Sequence, residues 1–281
     1  MSDGLANTQL RAAVVLAMLG ALGVTSVEAA QLIPHRAIYE MRLDTATTSS
    51  GISELTGRMV FEFRGSACDG YTQNMRLVTR VTDQSGGNSV SDLRTSSFED
   101  SDGKTFRFNA MTLRNSRVSE EASGKAKVGR DRTLNIELTK PKKDKLAVKA
   151  PILFPVQHSL ALLTAAQSGQ RILQANIYDG SDQGKKYFAT TSVVGNRVAP
   201  GTGKPQTPVK AARILDELAS WPVSISYYES GDGKGDGVPT YQMAFRFFEN
   251  GVTRDLKIDY GKFSVNGKLA DIEFYDPADC Q

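Results

Sequence analysis

Period-two alternation of apolar and polar residues runs through most of the chain, and it limits the available folds more than any other feature. Tyr39, Met41 and Leu43 alternate with Glu40, Arg42 and Asp44. Met59, Phe61 and Phe63 oppose Arg58, Glu62 and Arg64, and Met243, Phe245 and Phe247 oppose Gln242 and Arg246. Successive side chains of an extended strand point to opposite faces, so each run predicts a strand with one buried and one solvated face. Similar runs predict strands at 71–82, 89–98, 105–113, 132–138, 172–178, 186–194, 223–228, 252–260 and 268–275. Gly86-Gly87-Asn88, Asp102-Gly103, Asp232-Gly233, Asn250-Gly251 and Asn266-Gly267 lie between or beside them and supply positive φ for tight reversals. Short links make sequence neighbours sheet neighbours, which predicts an antiparallel meander.

One stretch breaks the alternation. Pro155 opens 156–169 (VQHSLALLTAAQSG), where Val156, Leu160, Leu163 and Ala166 or Gln167 recur at helical spacing before Gly169. This predicts one helix of about four turns whose apolar stripe packs on the concave side of the curved sheet. A weaker helical pattern spans 211–219. Residues 199–208 (APGTGKPQTP) predict an extended loop within one domain, because strand patterns continue on both sides. The Lys-rich run at 140–149 reads as a solvated edge that discourages edge-to-edge pairing. No aromatic residue interleaves those lysines to stack on bases.

The first thirty residues have a different character. Arg11 precedes thirteen apolar residues at 12–24, and Val27-Glu28-Ala29 places small residues where a signal peptidase reads them. The expected organisation is therefore a signal peptide at 1–29 and a single domain at 30–281. The run covers roughly 20 Å, against roughly 30 Å for a bilayer core, so no transmembrane anchor is expected. No cysteine follows it for lipid attachment. With 34 basic against 31 acidic side chains, the net charge of +3 gives no support for a nucleic-acid partner.

Cys68 and Cys280 are the two cysteines. In an oxidising compartment an even pair is most simply a disulfide; a reactive thiol or redox pair is the alternative, without a CxxC spacing or flanking His in its favour. A bridge closing a loop of roughly 210 residues would destabilise the unfolded chain by roughly 5 kcal/mol.

Catalytic signatures are absent from the pattern. His35 and His158 are the two histidines, and no HExxH or similar spacing joins them to other metal ligands. Each reads as a surface or packing residue. Gly103-Lys104-Thr105 has Phe98 where a P-loop needs its first glycine, and Gly180-Ser181 has Asp179 where a nucleophile elbow needs glycine. Tyr178-Asp179-Gly180-Ser181 reads instead as a hairpin turn. At 232–237, Lys234 occupies a ligand position of a calcium loop and Met243 stands at its bidentate Glu position. No metal or cofactor is implied. Trp221, the single tryptophan, reads equally as a core anchor or as the wall of an apolar cavity.

Several segments taken in order carry a resemblance. His35-Arg36-Ala37-Ile38-Tyr39, residues 57–63 (GRMVFEF), Cys68-Asp69-Gly70-Tyr71, residues 154–158 (FPVQH), Tyr178-Asp179-Gly180-Ser181, residues 221–228 (WPVSISYY) and Glu249-Asn250-Gly251-Val252 resemble the EipB family of periplasmic cell-envelope-integrity proteins. The resemblance covers nearly the whole chain after the leader. It implies a mainly β fold, a strongly curved antiparallel meander forming a β-spiral or broken barrel with one central α-helix. It also implies a Cys68–Cys280 disulfide, a periplasmic location and a role in maintaining the envelope under stress.

Two functions follow as expectations. The first is a non-enzymatic protein whose concave face binds an envelope protein, a peptide, a lipoprotein or a lipid-like ligand. The alternative is an envelope hydrolase or transferase acting through dispersed carboxylates such as Asp179, Asp182 and Glu229.

Overall fold

The computed structural model describes residues 31–202, 209–229 and 237–276. The predicted leader, the Asp232-Gly233 turn, Cys280 and most of the 199–208 loop lie outside these residues. Fifteen strands are described: β1 (His35–Ala46), β2 (Ile52–Ser66), β3 (Gly70–Asp83), β4 (Asn88–Glu99), β5 (Thr105–Arg114), β6 (Arg117–Val128), β7 (Thr133–Lys140), β8 (Asp144–Lys149), β9 (Ile152–Leu153), β10 (Ile172–Ile177), β11 (Phe188–Val194), β12 (Ser220–Glu229), β13 (Tyr241–Phe248), β14 (Thr253–Asp259) and β15 (Phe263–Phe274). The helix α1 (Pro155–Ser168) lies between β9 and β10.

All fifteen strands form one mainly antiparallel sheet, in the order β8-β7-β6-β5-β4-β3-β2-β1-β15-β14-β13-β12-β11-β10-β9. β8 and β9 stand at opposite ends of this order, yet only Ala150 and Pro151 separate them in the chain. The three Cα–Cα steps from Lys149 to Ile152 span at most about 11 Å, so the sheet must curl until its edges nearly meet. It is an antiparallel meander, as the alternation predicts, curled into the broken barrel that the family resemblance implies. β9 pairs parallel to β10, and α1 is the crossover that a parallel pair requires.

Side chains, not ladder bonds, hold the two ends of the sheet together. Phe106, Phe108, Ala126, Leu134 and Ile136 of β5–β7 form a core with Ile152, Phe154 and Tyr178 from the other end. Phe106 stacks on Phe154 with centroids 5.1 Å apart and meets Tyr178 edge-on at 6.2 Å. A second core surrounds α1. A third joins β1, β14 and β15 to Ala212 and Leu215 of the 3-10 helix Lys210–Glu217, which replaces the weaker α-helix predicted there.

Asn266-Gly267 is a correction to the sequence reading. The dipeptide lies inside β15, where Gly267 pairs with both Met41 and Leu256, and the chain reverses at Gly261, φ 79°. A Cβ on Gly267 would stand 2.9 Å from Met41 Sδ, so this glycine serves close strand approach. The 140–149 run divides into a turn and β8, which is a true sheet edge. β6 and the two-residue β9 were not anticipated.

Candidate functional site

The site is the concave face and the helix lodged against it. Pro155 starts α1 because its missing N–H costs nothing at a first helical position. Gly169, φ 79°, ends it by donating its N–H to Ala165 and Ala166. Val156, Leu162, Leu163 and Ala166 are buried against Phe63, Tyr71, Val194, Trp221, Val223, Ile225 and Phe247. Trp221 is only 4% exposed, so it is the core anchor and not a cavity wall.

The N-terminus of α1 has no local cap, because Phe154 occupies the capping position. Glu99, at the end of β4, supplies the acceptor across the core. Its carboxylate accepts the N–H of Val156 at 2.8 Å and of Gln157 at 3.0 Å. Burial drives the Glu99 pKa up to about 7, against the lowering effect of those two bonds. His158, one turn into the helix, is also buried; Nε2 has no partner, and desolvation brings the imidazole down to about 4. His35 is buried between Phe61 and Phe63 and bonds the Ile33 carbonyl through Nδ1 at 2.8 Å. Both histidines are therefore packing residues.

Strand register identifies the rest of the concave wall. Phe61 and Met59 face the core, and their partners in β3 are Met75 and Leu77. These pair in turn with Thr95 and Leu93 of β4, which pair with Ala110 and Thr112 of β5. This wall has two rows, Met75–Thr95–Ala110 and Leu77–Leu93–Thr112. All six residues are only half-buried, whereas the inner residues Ala37, Tyr39 and Met41 of β1 and Val223 and Ile225 of β12 are buried. The opposite face carries Arg76 and Arg94, both paired with Asp92. Along these two rows charge is kept outside and apolar or hydroxyl surface inside.

The three carboxylates named from the sequence do not form a reactive cluster. Asp182 and Glu229 meet on Lys186, with an Asp182 separation of 2.9 Å, in a solvated ion pair that leaves all three side chains more than 40% exposed. Asp179 accepts the Ser181 N–H at 2.9 Å and shapes the turn. That turn is longer than a tight hairpin: the β10–β11 link runs through a 3-10 turn, Asp182–Gly184, and Tyr178 donates its hydroxyl to the Gly184 carbonyl at 2.9 Å. Among the described residues no three His, Cys, Asp or Glu side chains are grouped to hold a metal ion, and no helix is long and apolar enough to cross a membrane.

Comparison with known proteins decides the family. The model for EipB-like proteins matches residues 26–276. The chain belongs to the EipB-like family. It is 42% identical over 265 residues to the cell envelope integrity protein EipB of Brucella abortus (strain 2308), covering 94% of this chain and 92% of that protein. It also superimposes on the crystal structure of a β-barrel-like protein of unknown function from Brucella abortus. There the TM-score is 0.81 and the identity 42%, over 88% of this chain and 100% of the other. The barrel-like description agrees with the curled, unclosed sheet.

Glu99 is the residue of this site that the sequence reading missed. Its partners stand 57 and 58 residues on, and no local pattern marks a carboxylate at a strand end as the cap of a distant helix.

Proposed function

We propose that this chain is a periplasmic, non-catalytic protein that supports cell-envelope integrity by holding an acyl chain, from a lipid or a lipoprotein, against its concave wall. One observation carries the reading: the inner rows of β3–β5 are half-buried while the equivalent rows of β1 and β12 are buried. An apolar ligand laid along Met75, Leu77 and Leu93 would remove that surface from water at about 25 cal/mol per Å². Thr95 and Thr112 offer hydroxyls to a polar linkage. The envelope role rests on the name of the Brucella abortus relative, and the periplasmic location on the signal-peptide pattern ahead of residue 30.

The Cys68–Cys280 bridge belongs to the same proposal. Cys68 lies in the β2–β3 turn, and no cysteine is free among the described residues. Export would give the two thiols an oxidising compartment in which to join.

Titration with the apolar fluorophore N-phenyl-1-naphthylamine tests the reading. Saturable enhancement is expected for the wild-type protein, with displacement by a long-chain fatty acid and loss in Leu93→Arg at an unchanged circular-dichroism spectrum. No saturable enhancement, or equal enhancement in the variant, would remove the acyl-chain reading.

A further inference from the structure

The curled sheet leaves one strand edge half covered. The Val194 N–H bonds the Arg171 carbonyl, and along the β10–β11 register this turns the backbone groups of Leu173, Ala175 and Ile177 toward β11. Those of Ile172, Gln174 and Asn176 face the other way, where β9 pairs only with Asn176 and Ile177. Among the described residues, Gln174 therefore has no ladder partner on that side, and the Ile172 carbonyl accepts only Gln170 Nε2 at 2.7 Å.

A cavity of 640 Å³ lies along this edge, a volume typical of ligand sites. Val128 and Arg132, from the β6–β7 end of the sheet, form one wall, and Ile152, Asn176, Ala189 and Tyr228 form part of the other. Asn176, Ala189 and Tyr228 lie on the face opposite the core-facing Leu173 and Ile225, whereas Ala175 and Thr190 line it from the core face and Ile152 belongs to the core between the two sheet ends, so the cavity sits in the seam where those ends meet. Gln174 and Thr191 line its end, and beyond them on the same face stand the register partners Ile172 and Val193, which are 57% and 51% exposed. Among the described residues Arg132 is the only charged one lining it.

An open ladder edge beside an apolar cavity suits the addition of an extended strand, where main-chain bonds give affinity and alternate pockets give specificity. The edge is four residues long, closed at one end by β9 and faced by the β6–β7 turn, so it admits a single thin strand. Arg132 favours a carboxylate. We propose that an extended peptide of a partner protein, alternating apolar and acidic residues, adds to β10 along residues 172–175. Its apolar side chains sit in the cavity and over Ile172 and Val193, and one of its carboxylates meets Arg132. This seam edge shares no residue with the Met75–Thr95–Ala110 and Leu77–Leu93–Thr112 rows, so the proposal does not rest on acyl-chain binding.

Fluorescence anisotropy with fluorescein-labelled Val-Glu-Val-Glu-Val-Glu-Val and its Lys-for-Glu counterpart tests it. Saturable binding of the acidic peptide to the full chain is expected, at least tenfold weaker for the basic one. Gln174→Pro removes the edge N–H while sparing the β10–β11 bonds, and Ala189→Trp fills the cavity. Each is expected to weaken binding at least tenfold at an unchanged thermal midpoint, and Arg132→Glu to reverse the preference between peptides. Absence of saturable binding to the wild-type protein would overturn the proposal, as would affinity unchanged in both Gln174→Pro and Ala189→Trp. A concentration-dependent dimer abolished by Gln174→Pro, with no peptide bound, would assign the edge to a second copy of the chain and overturn it too.

Discussion

Glu99 accepts the backbone N–H of Val156 at 2.8 Å across the core, so the last residue of β4 caps a helix that begins 56 positions later. The first N–H groups of a helix have no partner within it, and here two of them are bonded to one buried carboxylate. Glu99→Ala leaves both unsatisfied. Each orphaned buried donor costs about 1–3 kcal/mol, so the thermal midpoint is expected to fall by several degrees, as calorimetry would record. An unchanged midpoint would show that water replaces the cap.

Glu99 and His158 give stability opposite pH dependences. The Glu99 pKa is raised by burial to about 7 from 4.5, so the folded state holds its proton longer than the unfolded chain; its contribution is full below pH 4.5 and is lost as pH rises to about 7. The His158 pKa is lowered by burial to about 4 from 6.5, so its contribution is full above pH 6.5 and is lost as pH falls to about 4. Between pH 4.5 and 6.5 the two slopes oppose each other. Urea midpoints of His158→Phe are expected to decline across that window as pH rises, and those of Glu99→Gln to decline as pH falls. Parallel profiles in the two variants would refute the assignment.

Gly180 combines a left-handed backbone, φ 76°, with the aromatic seam: a Cβ there would lie 2.4 Å from the Phe108 ring. Gly180→Ala is expected to lower stability by about 2–4 kcal/mol through strain and overpacking. Denaturant unfolding measures it. Gly86, also at positive φ but with nothing within 4 Å of a Cβ, is the control and loses less on substitution by Ala.

The proposed Cys68–Cys280 bridge predicts that Cys68→Ser lowers unfolding free energy by roughly 2–5 kcal/mol and increases protease sensitivity. Reductant is expected to shift the wild-type midpoint to that of the variant. Coincident melts of the wild-type protein with and without reductant would remove the bridge from the account.

Substituting Asp179, Asp182 and Glu229 together by Ala is expected to leave envelope function intact, because two of these carboxylates serve a solvated ion pair and the third a turn. Loss of resistance to envelope stress at an unchanged thermal midpoint would instead point to chemistry at those carboxylates.

The strands with large alternating side chains, such as Met59, Phe61 and Phe63, were legible because period two shows directly in hydropathy. β6 was not: its inward residues are Ala122, Gly124 and Ala126, small because Phe108 and Leu138 fill the space beside Gly124. Small residues leave a weak hydropathy trace. The Asn266-Gly267 expectation failed because glycine there answers to Met41, a residue far away in sequence. α1 was read correctly from its spacing, since Pro155, the apolar stripe and Gly169 are all local signals. Its cap and the two edges meeting at Ala150 and Pro151 are properties of the closed shape, which no window of sequence contains.

The pairing of His35 with Phe274 gives the connectivity a consequence for folding. Every other pair of neighbouring described strands is consecutive in the chain, so most of the ladder can zip from local hairpins. β1 against β15 is the exception, a non-local junction whose loop-closure entropy falls late and slows the reaction. A circular permutant spliced from the end of β15 to the start of β1 and opened between Ala150 and Pro151 would turn that junction into an ordinary hairpin. Its contact order would drop, and with it the kinetic barrier to assembly.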